Sequence, residues 1–516
     1  MNDSIQPLLG DIMLDSFIDG LLILLQWKPF VYMLIGSAIG FWVGILPGLG
    51  GAATLALMIP FIYKMTPQEA FPFLLGMHSV VQTTGDITSV LFGIPGESTT
   101  VATIIDGYAM TKKGEAGRAL GAALMSSLVG AIIGAFFLAL AIPIVRPLVL
   151  AFGTPEMLMI VLLGMTCISS LSGRGKRGLL LGLMTGGLGF LLALVGQDNQ
   201  SSILRFTFGT IYLWNGIPII PLVVGFFAIP EIVDMAVQET SISRNVDPTV
   251  QLGSGVWQGV KDTFIHFWLT VRCSLIGSFF GLMPGLGAGV AQWVSYAHAT
   301  QSAKTVEERE GFGKGDVRGV LGPGAANNSK EGASLIPTVA FGIPAAPGMA
   351  ILLGGFYVLG LIPGPDMLTK HLSLTFSMVW TIVISNIITV IVSLLFIGYL
   401  ARLTFIRGNL LIPFILLLVL IGAYTANNDI GDLIVVLVFG GLGYLMVRGG
   451  WPRPPLILGF VLGDLFETNL YTCVTLYGAA WLYRPKVIIL FILAVCVALY
   501  PFLREKHLSK KKERQV

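Results

Sequence analysis

"GILPGLGGAAT" (residues 44–54) decides how the rest of the chain is read. An apolar segment stops at Pro47 and gives way to Gly48, Leu49, Gly50 and Gly51. A helix of a soluble domain can end this way and meet water. Here the surroundings are too apolar for that. Of 516 residues, 54% are hydrophobic and 11% charged, against about 25% charged in soluble domains; mean hydropathy is +0.83. Apolar runs recur at 29–47, 119–145, 154–171, 179–196, 217–233, 264–283, 374–400, 411–424, 433–447 and 485–503. Most approach the roughly 20 residues that a bilayer crossing takes. The fold class they imply is all-α and polytopic, with the break at Pro47 inside the membrane.

The net charge of +3 is unevenly spread. Basic residues gather in "TKKGEAGR" (111–118), "GRGKRG" (173–178) and the tail "REKHLSKKKERQV" (504–516). Such a tail can bind nucleic acid, but in a membrane chain it reads as a cytoplasmic juxtamembrane anchor. Cys167, Cys273, Cys473 and Cys496 sit in apolar surroundings without CxxC spacing. They read as small core residues, and neither a metal site nor a disulfide framework is expected. The N-terminal stretch lacks a basic n-region, so no cleavable signal peptide is expected.

Three matched motifs point to two copies of one plan. Gly36, Gly40, Gly44 and the run Pro47-Gly48-Leu49-Gly50 are answered by Gly277, Gly281 and Pro284-Gly285-Leu286-Gly287. "FGIPG" (92–96) is answered by "FGIPA" (341–345), and "PLVVGF" (221–226) by "PLILGF" (455–460). The copies lie 237, 249 and 234 residues apart, and a charged insert, "TVEEREGFGKGDVR" (305–318), accounts for the longest interval. Glycine every fourth residue means only close helix packing when it stands alone; joined to PGLG and FGIP it marks a repeat. The expected domains are a first half, 1–237, a polar linker, 238–261, a second half, 262–470, and a final helix with the basic tail, 471–516.

Loops 111–118 and 173–178 flank two crossings and so share a side, which the positive-inside rule makes the cytoplasm. The first 27 residues contain no Lys or Arg whereas the tail is basic, which puts the two ends on opposite sides. With a cytoplasmic linker, copy one enters from outside and copy two from inside. That is an inverted repeat, as secondary transporters use. Arg402, Arg407, Arg484 and Lys486 run against this assignment.

A helix broken by Pro and Gly frees backbone N–H and C=O groups, which hydrocarbon penalises unless the break is buried in protein or lines a wet cavity. The freed ends carry partial charge, positive at N-termini and negative at C-termini. Broken helices or re-entrant hairpins in corresponding places are therefore the best pointer to a transporter's site. Candidate substrate- or ion-binding positions are the break residues Pro47, Gly48, Gly50, Pro284, Gly285 and Gly287, with Gly93, Pro95, Gly342 and Pro344 of the FGIP motifs. Nearby polar residues join them: Ser79, Gln82, Thr83, Thr84, Asp86, Ser98 and Thr99 in copy one, and Asn327, Asn328, Ser329 and Ser334 in copy two. Hydroxyls and amides suit a carboxylate or, through their oxygens, a transient Na⁺; no resident metal or cofactor is expected. Aligning Phe92 on Phe341 sets Ser79 opposite Asn328 and Gln82 opposite Glu331.

Four residues carry two readings each. Asp86 is a helix N-cap, worth about 1 kcal/mol, or a functional carboxylate at membrane depth. Lys330 and Glu331 are interfacial charges or belong to the site. His78 reads as a core histidine more readily than as a ligand.

No catalytic set is present: the five histidines form no HExxH and there is no GxSxG. "GLGGAA" (48–53) follows a membrane segment instead of a strand, and "GFGKGD" (311–316) lacks the GK[ST] ending of a P-loop. Neither dinucleotide nor ATP chemistry is expected. The rival classes are a polytopic membrane enzyme, which needs a paired nucleophile and base, and a passive anion channel, which has no use for an ion-coupled Asp.

Four stretches carry a resemblance: "GSAIGFWVGILPGLGGA" (36–52), "GIPGESTTVATIIDGYAMTKKGEAGRALG" (93–121), "FTFGTIYLWNGIPIIPLVVGFFAIPEI" (206–232) and "NNSKEGASLIPTVAFGIPAAPGMAILLGGFYVLGLIPGP" (327–365). The chain resembles the large membrane subunit of the tripartite tricarboxylate transporters over nearly its whole length. The resemblance implies a secondary carrier of the bacterial inner membrane, energised by Na⁺ or H⁺. It also implies a small four-helix membrane partner and a soluble periplasmic binding protein that delivers a carboxylate. The chain departs from the pattern at Thr83, Thr84, Gly85 and Asp86, where a Tyr-Gly-Gly-Ser-like run is common, and at Ala345, where Gly is usual. Ala346, Pro347 and Gly348 replace small hydroxyl residues, and "TNLYTCVTLYGAAWLYR" (468–484) replaces a more basic run. These changes touch the expected site, so the expected cargo is a small organic carboxylate and not citrate in particular.

Overall fold

The computed structural model describes residues 5–45, 50–93, 95–97, 99–171, 175–198, 201–237, 255–283, 287–397 and 408–496. Up to residue 237 the helices are α1 (Ile5–Leu25), α2 (Trp27–Ile45), α3 (Gly51–Met58), α4 (Pro67–Phe92), α5 (Val101–Lys112), α6 (Ala116–Leu150), α7 (Thr154–Leu171), α8 (Gly175–Ala193) and α9 (Ile219–Val237). From residue 255 they are α10 (Val256–Ile265), α11 (Phe267–Gly281), α12 (Gly287–Gln301), α13 (Val306–Gly311), α14 (Arg318–Phe341), α15 (Pro347–Val358) and α16 (Leu372–Leu395). Then follow α17 (Gly408–Asn427), α18 (Ile430–Arg448), α19 (Pro454–Tyr477) and α20 (Pro485–Cys496). One antiparallel ribbon, Gly196–Gln197 with Leu204–Arg205, is the strand content among the described residues.

Within the described residues each apolar run of the sequence lies mainly on a helix, with one correction. The run 264–283, read as a single crossing, breaks at His266: α10 and α11 meet there at 78°. Among the described residues five helices are long and apolar enough to cross a bilayer alone, and six if the bent pair counts as one span. The 35 residues of α6 extend about 52 Å at 1.5 Å per residue, well beyond a hydrocarbon core of about 30 Å. Phe136, Leu140 and Ile144 on α6, and Ile434, Leu437 and Leu445 on α18, point outward. Apolar belts of this kind belong against lipid. The protein is a helical, multi-pass membrane protein.

Two helices form its centre, and neither registers as an apolar run. Ala70 through Leu91 of α4 and Gly319 through Ala340 of α14 are buried without interruption. Their polar side chains face other helices instead of lipid, so hydropathy along the chain passes them over. α4 starts at a capping box between Thr66 and Glu69, with Pro67 in the first turn. It ends where Gly93 turns left-handed at φ +65°, and α14 ends the same way at Gly342, φ +67°. A residue with a Cβ is disfavoured at such a φ, which explains the glycine of both FGIP motifs.

Contacts between helices come in matched pairs. α2 lies on α4 as α11 lies on α14; α1 packs on α16 as α10 packs on α6; α16 packs on α4 as α6 packs on α14. Further out, α18 lies on α9 and α8 on α19. Phe71 of α4 meets Phe356 of α15 with ring centroids 4.4 Å apart, closing the core between the two parts of the chain.

Candidate functional site

Lipid gives helices no hydrophobic reason to associate, so small residues that admit close backbone contact take over. A Cβ on Gly36 or Gly40 would collide with the Phe73 or Met77 carbonyl of α4, and one on Gly44 with Thr84. A Cβ on Gly277 or Gly281 would strike Ser329, Ala326 and Lys330 of α14. The repeated glycine stripes thus press α2 onto α4 and α11 onto α14.

Held this way, α4 and α14 meet through polar side chains. Ser79 donates to Asn328 Oδ1 at 3.5 Å, and Asn327 Nδ2 donates to the Gln82 carbonyl at 3.0 Å. Asn328 Nδ2 donates to Thr83 Oγ1 at 2.7 Å and to Asn386 Oδ1 of α16 at 2.8 Å. Asn386 Nδ2 donates to Ser79 Oγ at 2.5 Å, and Ser127 of α6 stands 3.3 Å from Thr83 and Asn328. Thr99, just after the first FGIP motif, donates to Asn327 Oδ1 at 2.9 Å and Gln82 Oε1 at 3.1 Å. Interhelical hydrogen bonds in membrane proteins average about 0.6 kcal/mol. A knot of this size therefore orients groups more than it holds the fold together.

Buried charge surrounds the knot. The Lys330 ammonium lies 3.2 Å from Glu331 Oε1 and donates to Gln82 Oε1 at 3.3 Å. His78 Nε2 stands 3.1 Å from Glu331 Oε2, at ion-pair distance but without a hydrogen bond's alignment. Lys330 and Glu331 are only 4% and 5% exposed, so both charges are enclosed by protein. Asp86 is fully buried inside α4, and neither carboxylate oxygen has a hydrogen-bond partner. The side chains acting on it are Thr103 of α5 and Lys330. Because α4 runs unbroken through residue 86, Asp86 is no N-cap.

The break at PGLG also has a visible consequence. α2 ends at Ile45 and α3 begins at Gly51, whose N–H donates to Glu97 Oε2 at 2.5 Å. In the second copy α11 ends at Gly281 and α12 begins at Gly287.

Of the residues singled out from sequence, Ser79, Gln82, Thr83, Thr99, Asn327 and Asn328 come together, with Asp86 further along α4. Thr84, Ser329 and Ser334 bond to carbonyls of their own helices, those of Val80, Ala326 and Glu331. Gly50 lies against Glu97, Gly93 and Gly342 end helices, Pro95 is exposed and Pro344 is buried. Pro47, Gly48, Ser98, Pro284 and Gly285 lie outside the described residues, as do most of the linker 238–261 and the tail 504–516. Sequence reading missed Ser127 and Asn386. Each is a polar residue in a long apolar span, the signal by which an intramembrane polar site announces itself. Among the described residues no three His, Cys, Asp or Glu gather as a metal site.

Comparison with known proteins turns this geometry into a family. Residues 30–458 match the family described as the tripartite tricarboxylate transporter TctA family. The chain belongs to the TctA family. Similar proteins include an "Uncharacterized 52.8 kDa protein in TAR-I ttuC' 3'region" of Agrobacterium vitis, 35% identical over 92% of this chain and 94% of that protein. An "Uncharacterized protein in TAR-II ttuC' 3'region" of the same organism is 37% identical over 45% of this chain and 96% of its own length. No solved structure matches significantly. TctA proteins are transport subunits and not enzymes, and they work with a small membrane partner and a periplasmic binding protein. Membership and the membrane helices make this chain a multi-pass protein of the inner membrane.

Proposed function

We propose that the chain is the carrier subunit for a small organic carboxylate, imported with Na⁺ or H⁺ and handed over by a periplasmic binding protein, with a small four-helix subunit beside it. The observation that carries this reading is Asp86, a fully buried carboxylate about one turn of α4 from Thr83 of the Asn–Thr–Ser knot, with Thr103 and the Lys330 ammonium acting on it. An isolated charge at membrane depth costs about 2.5–3.5 kcal/mol on insertion scales. A cation or proton that arrives with the substrate offsets that cost and removes the repulsion between Asp86 and an anionic cargo.

The halves 1–237 and 262–470, in this reading, are related by a two-fold axis in the membrane plane. Aligning Phe92 with Phe341 pairs His78 with Asn327, Ser79 with Asn328 and Gln82 with Glu331. Exchanging partners turns the His78–Glu331 contact into Asn327–Gln82, and that hydrogen bond exists. The Ser79–Asn328 bond turns into itself. Residue numbers on α14 fall as those on α4 rise through these contacts, so the two helices meet antiparallel. An axis along the membrane normal would bring equivalent spans together in parallel; an in-plane axis makes them antiparallel, as inverted repeats require.

Uptake of radiolabelled carboxylates by cells carrying all three subunits tests the reading. Accumulation against a gradient, abolished by collapsing the Na⁺ and H⁺ gradients, is the expected result. Equilibration without accumulation would make the protein a passive path.

A further inference from the structure

Glu97 makes a contact for which the knot has no need. It comes from the loop after the first FGIP motif and is 8% exposed. Its backbone is fixed by Thr100, whose hydroxyl donates to the Glu97 carbonyl at 2.9 Å and accepts from its N–H at 3.4 Å. The carboxylate then reaches across 46 residues of chain to the N–H of Gly51 at 2.5 Å. A Cβ on Gly50 would sit 3.2 Å from the same carboxylate oxygen. Gly50 and Gly51 therefore let an anion come up against the first turn of α3.

A second group faces the same turn. His78 Nδ1 is buried without a hydrogen-bond partner, 3.0 Å from where a Gly51 Cβ would stand. On its other side, a Cβ on Gly348 would lie 2.7 Å from His78 Nε2. Gly348 is in the first turn of α15. Two helix N-termini, one from each half, thus converge on one imidazole. Each carries the partial positive charge of a helix N-terminus, the environment that takes up carboxylates and phosphates.

We propose that the first turns of α3 and α15 and His78 form a carboxylate subsite, which Glu97 fills in this structure and yields to a carboxylate of the cargo. The inference rests on the carrier reading for its cargo, though not for its test. Sequence asymmetry supports it. Aligned through the FGIP motifs, position 97 matches Ala346, which has no carboxylate to offer, so a glutamate here is not demanded by the repeat. Helix caps are also drawn mainly from Ser, Thr, Asp and Asn. Lys330 is already engaged by Glu331 and Gln82, whereas the Gly51 N–H on α3 is held by the Glu97 carboxylate.

Chemical rescue tests the subsite on full-length protein in nanodiscs, with acetate as the probe and chloride at equal ionic strength as the control. Glu97→Ala should lower the melting temperature. Acetate should restore at least half of that loss, while chloride restores none and wild type gains little. Acetate lifting the variant no more than wild type would show a sealed structural cap and overturn the proposal. Should Glu97→Ala fail to fold, Glu97→Gln keeps the shape without the charge. Its half-saturating acetate concentration in the same melting assay should then be at least tenfold below that of wild type, and equal values would overturn the proposal. Neither arm depends on transport, so absent carboxylate uptake by the wild type would sink the carrier reading and leave this result standing.

Discussion

Replacing Lys330 with Met removes a positive charge from the interior while keeping an apolar stem of similar length. The ammonium and its partner Glu331 are 4% and 5% exposed, 3.2 Å apart, so Glu331 would be left with only His78 beside it. Breaking one side of a buried ion pair typically costs about 3–5 kcal/mol, whereas replacing both sides is often near neutral. At about 1.4 kcal/mol per decade, the single change shifts the folding equilibrium by roughly two to three and a half orders of magnitude. The double variant Lys330→Met/Glu331→Gln should recover at least half of the loss, a coupling of about 2 kcal/mol or more. The assay is equilibrium unfolding in mixed micelles with rising SDS fraction, followed by tryptophan fluorescence. A single variant as stable as wild type, or a double variant no better than the single, would mean the pair is solvated, and the reasoning would fail.

Gly40→Val and Gly281→Val should each lose folded yield in size-exclusion profiles, since overpacking costs about 1–3 kcal/mol and backbone lies against both positions. Gly441→Ala, which meets nothing within 4 Å, should be neutral or better. Glu308 is exposed, and the Arg318 guanidinium hydrogen-bonded to it holds its carboxyl below the ordinary glutamate value of 4.5. A depressed folded value means this contact supports the folded state fully above pH 4.5 and fades as pH falls below it. Hydrogen exchange of the Gly315 and Asp316 amides, which cap Asp106, should speed up over that window, and Glu308→Gln should flatten the pH dependence. Single cysteines at Lys113 and Arg177, in a background without Cys167, Cys273, Cys473 and Cys496, should both be labelled from the cytoplasm; labelling on opposite faces would rule out the topology.

Hydropathy revealed the lipid-facing helices because their composition answers to lipid. α4 and α14 answer to each other, and their chemistry was legible only through the repeat. Phe92 aligned on Phe341 already paired Ser79 with Asn328, and those side chains touch. What no local pattern contains is which distant groups meet. Glu97 on Gly51 and Asn386 on Ser79 are contacts over 46 and 307 residues, set by packing of whole helices. The bend at His266 was equally hidden, since no proline or glycine stands at it in the sequence. Asp86 was ambiguous in sequence for a physical reason: Asp begins helices as readily as it binds ions, and only an unbroken α4 separates the two roles.

The central claim, that Asp86 couples an ion to carboxylate movement, is tested most directly by Asp86→Asn in the complete three-subunit system. Asn keeps the shape and loses the charge. The measurement is initial uptake and final accumulation of a radiolabelled carboxylate under imposed Na⁺ and H⁺ gradients, with membrane insertion checked in parallel. The account predicts a protein that inserts and folds but no longer accumulates substrate in response to either gradient. Accumulation by Asp86→Asn with wild-type ion dependence would contradict it.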